Sequence, residues 1–339
     1  MLYSVSAPFS LRHFGSDTHL LLRQLIAAGI GIAGLAFFAH FDYHRLRHLD
    51  DIFLVAAFAL TVLTVLPLPG LGGGRWLRLG VFTIQPTELL LFALIIYLAA
   101  AIDRKGEMIR SFSEGVLPFV TVLLVLAAVV INQPDLGMIV RYGLLTMTML
   151  FLGGARLRHL GGLVLGSIPL LYLAIRVAPY RLARIVAFFN PGEFRDSFGY
   201  QGFQSLVAIG SGGLFGRGLG ASRAKLFYLP QSHNDFIFAI IAEELGLIGA
   251  IVLIALFAVF TWRAFVVAGQ APDRFGRLLA LGIGVAISGQ TALNLGVATG
   301  ILPVTGLTLP FISNGGTSLL VTLAMVGVLL NISKQRGQK

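Results

Sequence analysis

The sequence predicts an all-α polytopic membrane protein, and three observations carry that prediction. Hydrophobic residues make up 56% of the chain and charged residues only 12%, whereas a soluble domain carries about 25% charge. The apolar residues fall into consecutive runs, each near the ~20 residues a helix needs to cross ~30 Å of hydrocarbon. The Lys and Arg residues collect in alternate short connections between those runs, which is the positive-inside pattern. At this composition only helices satisfy their own backbone in lipid.

Nine runs are expected to span: 21–40, 51–68, 84–102, 115–131, 136–154, 160–178, 236–260, 277–300 and 317–333. Arg45 and Arg47 follow the first, and Arg104, Lys105 and Arg110 the third. Arg156 and Arg158 follow the fifth, Arg263, Arg274 and Arg277 the seventh, and Lys334, Arg336 and Lys339 the last. Those connections and the C-terminus are expected to be cytoplasmic, and the large loop 179–235 extracytoplasmic. The N-terminus is then outside, so Met1-Leu-Tyr-Ser-Val-Ser-Ala7 reads as the tail of one further, truncated helix. One membrane domain is expected over 1–339. The net charge of +10 would suit a nucleic-acid partner, but its placement between membrane runs argues against one. With no cysteine, disulfides and thiol chemistry are excluded.

Tyr228-Leu-Pro-Gln-Ser-His-Asn-Asp-Phe-Ile-Phe-Ala-Ile-Ile-Ala-Glu-Glu-Leu-Gly246 is the stretch around which the rest is organised. It starts as a polar loop, turns into an apolar helix at Asp235, and carries Glu243 and Glu244 among Ile, Ala and Leu. Carboxylates in a span are costly and mark function by default. Asp235 admits two roles. Asn234 or Asp235 can cap the helix expected from Phe236, worth about 1 kcal/mol, or Asp235 can serve as a base at the outer aqueous boundary. Glu243 and Glu244 lie about 12 and 13.5 Å further along the helix axis. A glycosidase pair needs carboxylates about 5–9.5 Å apart, so the two Glu residues are expected to hold neighbouring helices or to stay protonated.

Other candidates come from charges in costly places. Glu88 follows Gln85-Pro86-Thr87 at a helix start, where it can serve the helix N-terminus or a function, and Arg75-Trp76 before it suits an interfacial anchor. Asp135 sits in Asn132-Gln-Pro-Asp-Leu-Gly137, explicable as turn chemistry. Arg141, one turn into the next span, requires a partner. The run Gly210-Ser-Gly-Gly-Leu-Phe-Gly-Arg-Gly-Leu-Gly220 can cradle phosphate or permit close backbone packing. Arg181, Arg184, Arg217, Arg223 and Lys225 can keep the loop soluble or form a bed for pyrophosphate. His233 alone of the seven His residues lies near Asp235 and no His-X3-His spacing occurs, which argues against zinc. These residues assign no cofactor. A divalent cation, Mg²⁺ or Mn²⁺, between carboxylates and a pyrophosphate is compatible with these residues.

Taken in order, the motifs resemble the SEDS family (shape, elongation, division and sporulation) of membrane peptidoglycan glycosyltransferases over nearly the whole chain. The resemblance rests on Arg75-Trp76, Gln85-Pro-Thr-Glu88, Gln133-Pro-Asp-Leu-Gly137 and Arg184 ahead of Phe188-Phe-Asn-Pro191. It continues through Gly199-Tyr-Gln201, Gln204-Ser205, Ala208-Ile-Gly-Ser-Gly-Gly213, Leu229-Pro230, Asp235-Phe236 and Glu243-Glu-Leu-Gly246. The last blocks are Gly300-Ile-Leu-Pro-Val-Thr-Gly306 and Leu309-Pro-Phe-Ile-Ser-Asn-Gly-Gly-Thr-Ser318. Ala221-Ser-Arg-Ala-Lys-Leu-Phe-Tyr-Leu-Pro230 looks more like the cell-division type, with the rod-shape type the near alternative.

The resemblance implies ten helices, both termini cytoplasmic, in the bacterial inner membrane with the active site facing outward. It implies that Asp235 is the catalytic base in polymerising lipid II, the donor being lipid II or a growing chain on undecaprenyl pyrophosphate. It also implies a class B penicillin-binding protein as partner, with divisome or elongasome proteins. Expected substrate contacts are Arg75, Trp76, Glu88, Asp135, Arg184, Gln204, Arg217, Lys225 and Ser313, with Arg141, Glu243 and Glu244 as intramembrane structural residues. Two positions depart from the family pattern. Leu91 stands where a Lys follows the motif's Glu, and Asn314 where a Tyr precedes the paired glycines. Arg141 is therefore expected to replace the missing cation at Glu88. The rival readings are a lipid II flippase or other transporter, with Glu88, Glu243 and Glu244 as coupling carboxylates, and a non-catalytic scaffold for the penicillin-binding protein.

Overall fold

The computed structural model describes residues 2–66, 72–79, 82–133, 135–190, 194, 197, 199–230 and 234–335. Among the described residues twelve α-helices follow in order: α1 (Leu2–Phe14), α2 (His19–His40), α3 (Asp50–Val65), α4 (Pro86–Lys105), α5 (Leu117–Val130), α6 (Leu136–Gly153), α7 (Leu157–Arg176), α8 (Pro179–Phe189), α9 (Tyr200–Ser211), α10 (Ile237–Gly269), α11 (Arg274–Ala298) and α12 (Gly316–Lys334).

The protein is a helical, polytopic membrane protein. Among the described residues eight helices are long and apolar enough to cross a bilayer. The run expected at 51–68 is the 16-residue α3, about 24 Å long at 1.5 Å per residue. Between α3 and α4, where the sequence places a connection, lies a small antiparallel sheet of β1 (Gly72–Gly73), β2 (Trp76–Leu79) and β3 (Phe82–Ile84), in which Leu77 pairs with Ile84 and Arg78 with Thr83. Strands in this segment satisfy one another's backbone groups, the same requirement that favours helices elsewhere.

The chain divides into two compact units. The first comprises Met1–Ile26, Leu163–Val259 and Gln290–Gly315. The second comprises Ala27–Gly162, Phe260–Gly289 and Gly316–Lys339.

In the first unit the core is built on the start of α10. Phe236 to Ala242 are all buried and pack with Val5, Ala208, Leu229, Val297, Ala298 and Leu309. The segment 179–235 is no bare connection: it holds α8, α9 and a π-helical turn over Ala224–Tyr228. By contrast, α7 exposes Leu165, Ile168, Leu170, Tyr172 and Leu173. A face of that size and polarity belongs in lipid.

In the second unit α4 is the central helix, buried along most of its length and packed on α3, α6 and α12. Local signals set its bounds. Pro86 occupies the first turn, where its missing N–H costs nothing, and Gly106 closes the helix at φ +53°. Asp135 caps α6 by accepting from Met138 N at 3.2 Å, and Gly154 ends that helix in the left-handed region.

Candidate active site and its supporting network

Asp235 lies in a turn that leads into α10, which starts at Ile237, one residue later than the sequence suggests. Its backbone is fixed from three directions. Asn294 of α11 donates its Nδ2 to the Asp235 carbonyl at 2.8 Å and to that of Leu307 at 2.7 Å. Ser313 donates its Oγ to the Asn234 carbonyl at 2.5 Å and accepts from Leu309 N at 2.8 Å. Gln24 of α2 holds the Ser313 carbonyl at 3.2 Å, and Phe236 anchors the turn in the core. Asp235 itself is only half-buried. His233 lies outside the described residues.

Downstream, α10 breaks at Gly246, whose φ of +69° lies in the left-handed region. A break in a helix leaves carbonyls and amides unpaired. Here the glycine run supplies the partners. Arg217 N and Gly218 N donate to the carbonyls of Glu243 and Glu244, both at 3.0 Å. Leu247 N and Ile248 N donate to the carbonyls of Gly213 and Leu214, at 2.9 and 3.3 Å. The approach is so close that a Cβ on Gly212, Gly216 or Gly246 would collide with backbone on the facing segment. Of the two readings of this run, close packing is the one observed, and the Arg217 and Gly218 amides are spent on α10 rather than turned to phosphate.

Glu243 and Glu244 point back onto the same loop. Glu243 accepts from Ser222 Oγ at 2.5 Å, Arg223 N at 3.0 Å and Ala224 N at 3.3 Å, with the Arg217 guanidinium 3.8 Å away. Glu244 pairs with Lys225 at 2.8 Å and accepts from Ser4 of α1 at 2.9 Å. Both carboxylates are buried, and a buried carboxylate persists only when paired and hydrogen-bonded. They hold a loop and α1. Glu244 thus engages the neighbouring helix α1, while Glu243 holds the loop.

The expected bed of five cations is correspondingly smaller. Lys225 is buried against Glu244. Arg181 is buried, donating to the carbonyl of Ala174 at 2.9 Å and the hydroxyl of Tyr180 at 2.9 Å. Arg184 lies over the Tyr180 ring, 5.9 Å from its centroid, and is half-buried on α8. Arg217 is partly exposed and Arg223 exposed. Gln204 is half-buried on α9, while the neighbouring Ser205 donates to the Ala298 carbonyl at 2.7 Å.

In the second unit the remaining motifs meet one another. Arg75, at the turn before β2, donates its Nε to the Gln133 carbonyl at 3.1 Å and lies 3.5 Å from Asp135. Gln133 is itself held by Thr61 and Thr64 of α3. Trp76 is exposed. Burial pushes the Asp135 carboxyl above its usual value, against the opposing pull of the Arg75 guanidinium. Glu88 receives Arg141 Nη1 at 3.1 and 3.0 Å on its two oxygens, so the expected replacement cation is in place. Tyr142 beside it donates to the Thr87 carbonyl at 2.7 Å.

Some supports of the Asp235 turn escape sequence reasoning. Asn294 and Gln290 form a polar pair at i, i+4 inside an apolar span, a legible signal. Ser4 and Ser222 offer none. Among the described residues no group of three or more His, Asp or Glu side chains comes close enough to hold a metal ion.

Comparison with known proteins closes the argument about kinship. Residues 1–338 match the FtsW/RodA/SpoVE family, described as cell cycle protein. The chain belongs to the FtsW/RodA/SpoVE family. Within that family it is 42% identical over 338 residues to the probable peptidoglycan glycosyltransferase FtsW of Trichlorobacter lovleyi, covering 98% of this chain and 88% of the relative. It is 41% identical over 337 residues to stage V sporulation protein E of Bacillus subtilis, covering 98% and 92%. Among solved structures, a chain from a study of the structural coordination of polymerization and crosslinking by a peptidoglycan synthase complex superposes with a TM-score of 0.79 at 29% identity, covering 99% of this chain and 96% of that one. The rod shape determining protein RodA of Thermus thermophilus superposes with a TM-score of 0.69 at 28% identity, covering 99% and 95%.

Proposed function

We propose that this FtsW/RodA/SpoVE-family protein is a peptidoglycan glycosyltransferase of the division type that polymerises lipid II, with Asp235 as its general base. The observation that carries the assignment of Asp235 is a contrast among acids. Glu88, Asp135, Glu243 and Glu244 are all buried, whereas Asp235 is half-buried on a turn whose backbone is fixed by Asn294 and Ser313. Acids used for structure are hidden, and an acid used on a substrate must be reachable.

The chemistry follows from that position. A sugar hydroxyl is a weak nucleophile at neutral pH. A carboxylate within ~3 Å takes its proton as the new glycosidic bond forms. The acceptor's 4-hydroxyl oxygen bonds to the donor's anomeric carbon, the bond from that carbon to the pyrophosphate oxygen breaks, and undecaprenyl pyrophosphate leaves with the electron pair. Cationic side chains stabilise the charge that develops on it. Arg184 and Arg217 are the proposed cations, while Lys225 acts through Glu244 to set the loop. Gln204 and Ser313, in the same unit as Asp235, hold surfaces against which the substrate is positioned. The site faces the extracytoplasmic side of the inner membrane and the C-terminus the cytoplasm, the orientation that the alternate basic connections favour. The partner is a class B penicillin-binding protein that cross-links the product.

The test is polymer formation from labelled lipid II by the purified chain with that partner, comparing wild type with Asp235→Asn. Asparagine preserves shape and capping ability but cannot accept the proton. A loss of about 10²-fold or more is expected, the scale of general-base catalysis. Full activity in the variant rejects Asp235 as the base, and lipid crossing without polymer from wild type supports a carrier instead.

A further inference from the structure

The proposed chemistry leaves one cavity unused. It measures 540 Å³ and is lined by Glu107, Arg110, Ser111, Phe112, Arg156, Arg158 and His159. All seven belong to the second unit. They come from the connection between α4 and α5, and from the connection between α6 and α7 together with the first turn of α7. Successive spans alternate in direction, so these two connections share one membrane face. Arg104, Lys105 and Arg110 mark the first and Arg156 and Arg158 the second, which makes that face cytoplasmic by the positive-inside rule. Glu88 stands at the opposite end of α4, about 25 Å away along the helix axis.

Part of the positive charge in this cavity is not balanced by the acids that line it. Arg158 and His159 lie in the first turn of α7, preceded by Arg156, and no acidic residue shares that turn. A helix N-terminus carries about half a positive charge and favours anions. Placing cations there is unfavourable unless an anion is bound. Within the cavity Glu107 engages Arg110 at 3.0 Å, and among the described residues Arg156 and Arg158 form no ion pair. His159 Nδ1 is buried without a hydrogen-bond partner among the described residues, its ring edge-on to Phe112 at 5.5 Å. Beside the cations, Met108, Phe112 and Leu157 are exposed. A site with arginines at its centre and large apolar side chains at its rim matches a molecule with a charged head and hydrocarbon tails.

We infer that this cavity binds the phosphodiester headgroup of an anionic phospholipid of the inner leaflet. Arg156, Arg158 and Arg110 supply forked donors to the phosphate oxygens, the α7 N-terminus supplies a favourable dipole, and Met108, Phe112 and Leu157 lie along the acyl chains. Basic pockets between spans on the cytoplasmic side are recurrent sites for such headgroups. A soluble phosphate could use the same cations, but it would gain nothing from the apolar rim.

The experiment uses the full chain purified in detergent, titrated with phosphatidylglycerol, cardiolipin, phosphatidylcholine or inorganic phosphate, and read by thermal shift and by retained lipid in native mass spectrometry. Saturable stabilisation by phosphatidylglycerol or cardiolipin, absent with phosphatidylcholine, is expected. The double variant Arg156→Gln with Arg158→Gln should bind about 30-fold more weakly, the factor that two interfacial cations are worth. Glu107→Gln removes an acid from the lining and should bind more tightly. Arg263→Gln, which alters an arginine outside the cavity, should match wild type. Equal binding by wild type and the double variant, an equal loss in Arg263→Gln, or inorganic phosphate binding as well as the lipids do would overturn the inference.

Discussion

Arg141 on α6 donates to both carboxylate oxygens of Glu88 on α4, at 3.1 and 3.0 Å, with both side chains buried. The pair ties two spans near their starts, since each residue lies in the first turns of its helix. Removing one partner of a buried pair strands the other and costs about 3–5 kcal/mol. Arg141→Leu is therefore expected to lower thermal stability in detergent by that order. Leu91, buried one turn beyond Glu88 on α4, is the position from which a cation can be returned at i+3. Adding Leu91→Lys should restore part of the loss. No recovery in the double variant would mean that the lost stability did not come from an unpaired Glu88.

The break in α10 makes a second prediction. Gly246 has φ +69° and its Cβ position is blocked by the backbone of Leu214 and Gly216. Gly246→Ala should cost about 2–4 kcal/mol, combining backbone strain with a clash that no rotamer relieves. Gly213 also has positive φ, +57°, but open space around its Cβ position. Gly213→Ala should cost only the left-handed preference, about 1–2 kcal/mol. Equal losses in the two variants would show that backbone conformation, not close approach, dominates.

Asp135 gives a dependence on pH. Burial raises its pKa above the ordinary 3.8, with Arg75 and the Met138 amide opposing. A carboxyl whose folded pKa is raised contributes its stability fully below the unfolded value. That contribution is lost as pH rises through the folded value. Asp135→Asn stays neutral and keeps an acceptor for the α6 cap. Melting temperatures of the two proteins should therefore move apart as pH increases from about 4 to 7, with wild type losing ground to the variant. The opposite drift would show that the ion pair with Arg75 outweighs burial.

The sequence declares features that follow from cost. A charge in a span must be paired, so Arg141 and Glu88 could be matched before any coordinates. A glycine run must serve either a ligand or a close approach, so both readings were available for 210–220. The partner of that run was not legible, because nothing local says that α10 breaks at Gly246 and needs four backbone partners. The Lys225–Glu244–Ser4 contact was hidden for a similar reason: Ser4 and Glu244 are separated by 240 residues, and no periodicity reaches that far. Lys225 and Arg181 read as surface cations because their segment is polar in composition. Burial of either one is a tertiary fact. The short sheet over 72–84 was missed because its strands span only two to four residues.

The joint at Gly246 has a consequence for sequence change. Surface loops accept added or deleted residues because water receives whatever backbone groups are exposed. Residues 213–218 have no such reserve. Shifting their register by a single position would strand two amides and two carbonyls of α10 where nothing else can take them. This segment is written in the composition of a loop but carries the length constraint of a strand inside a sheet.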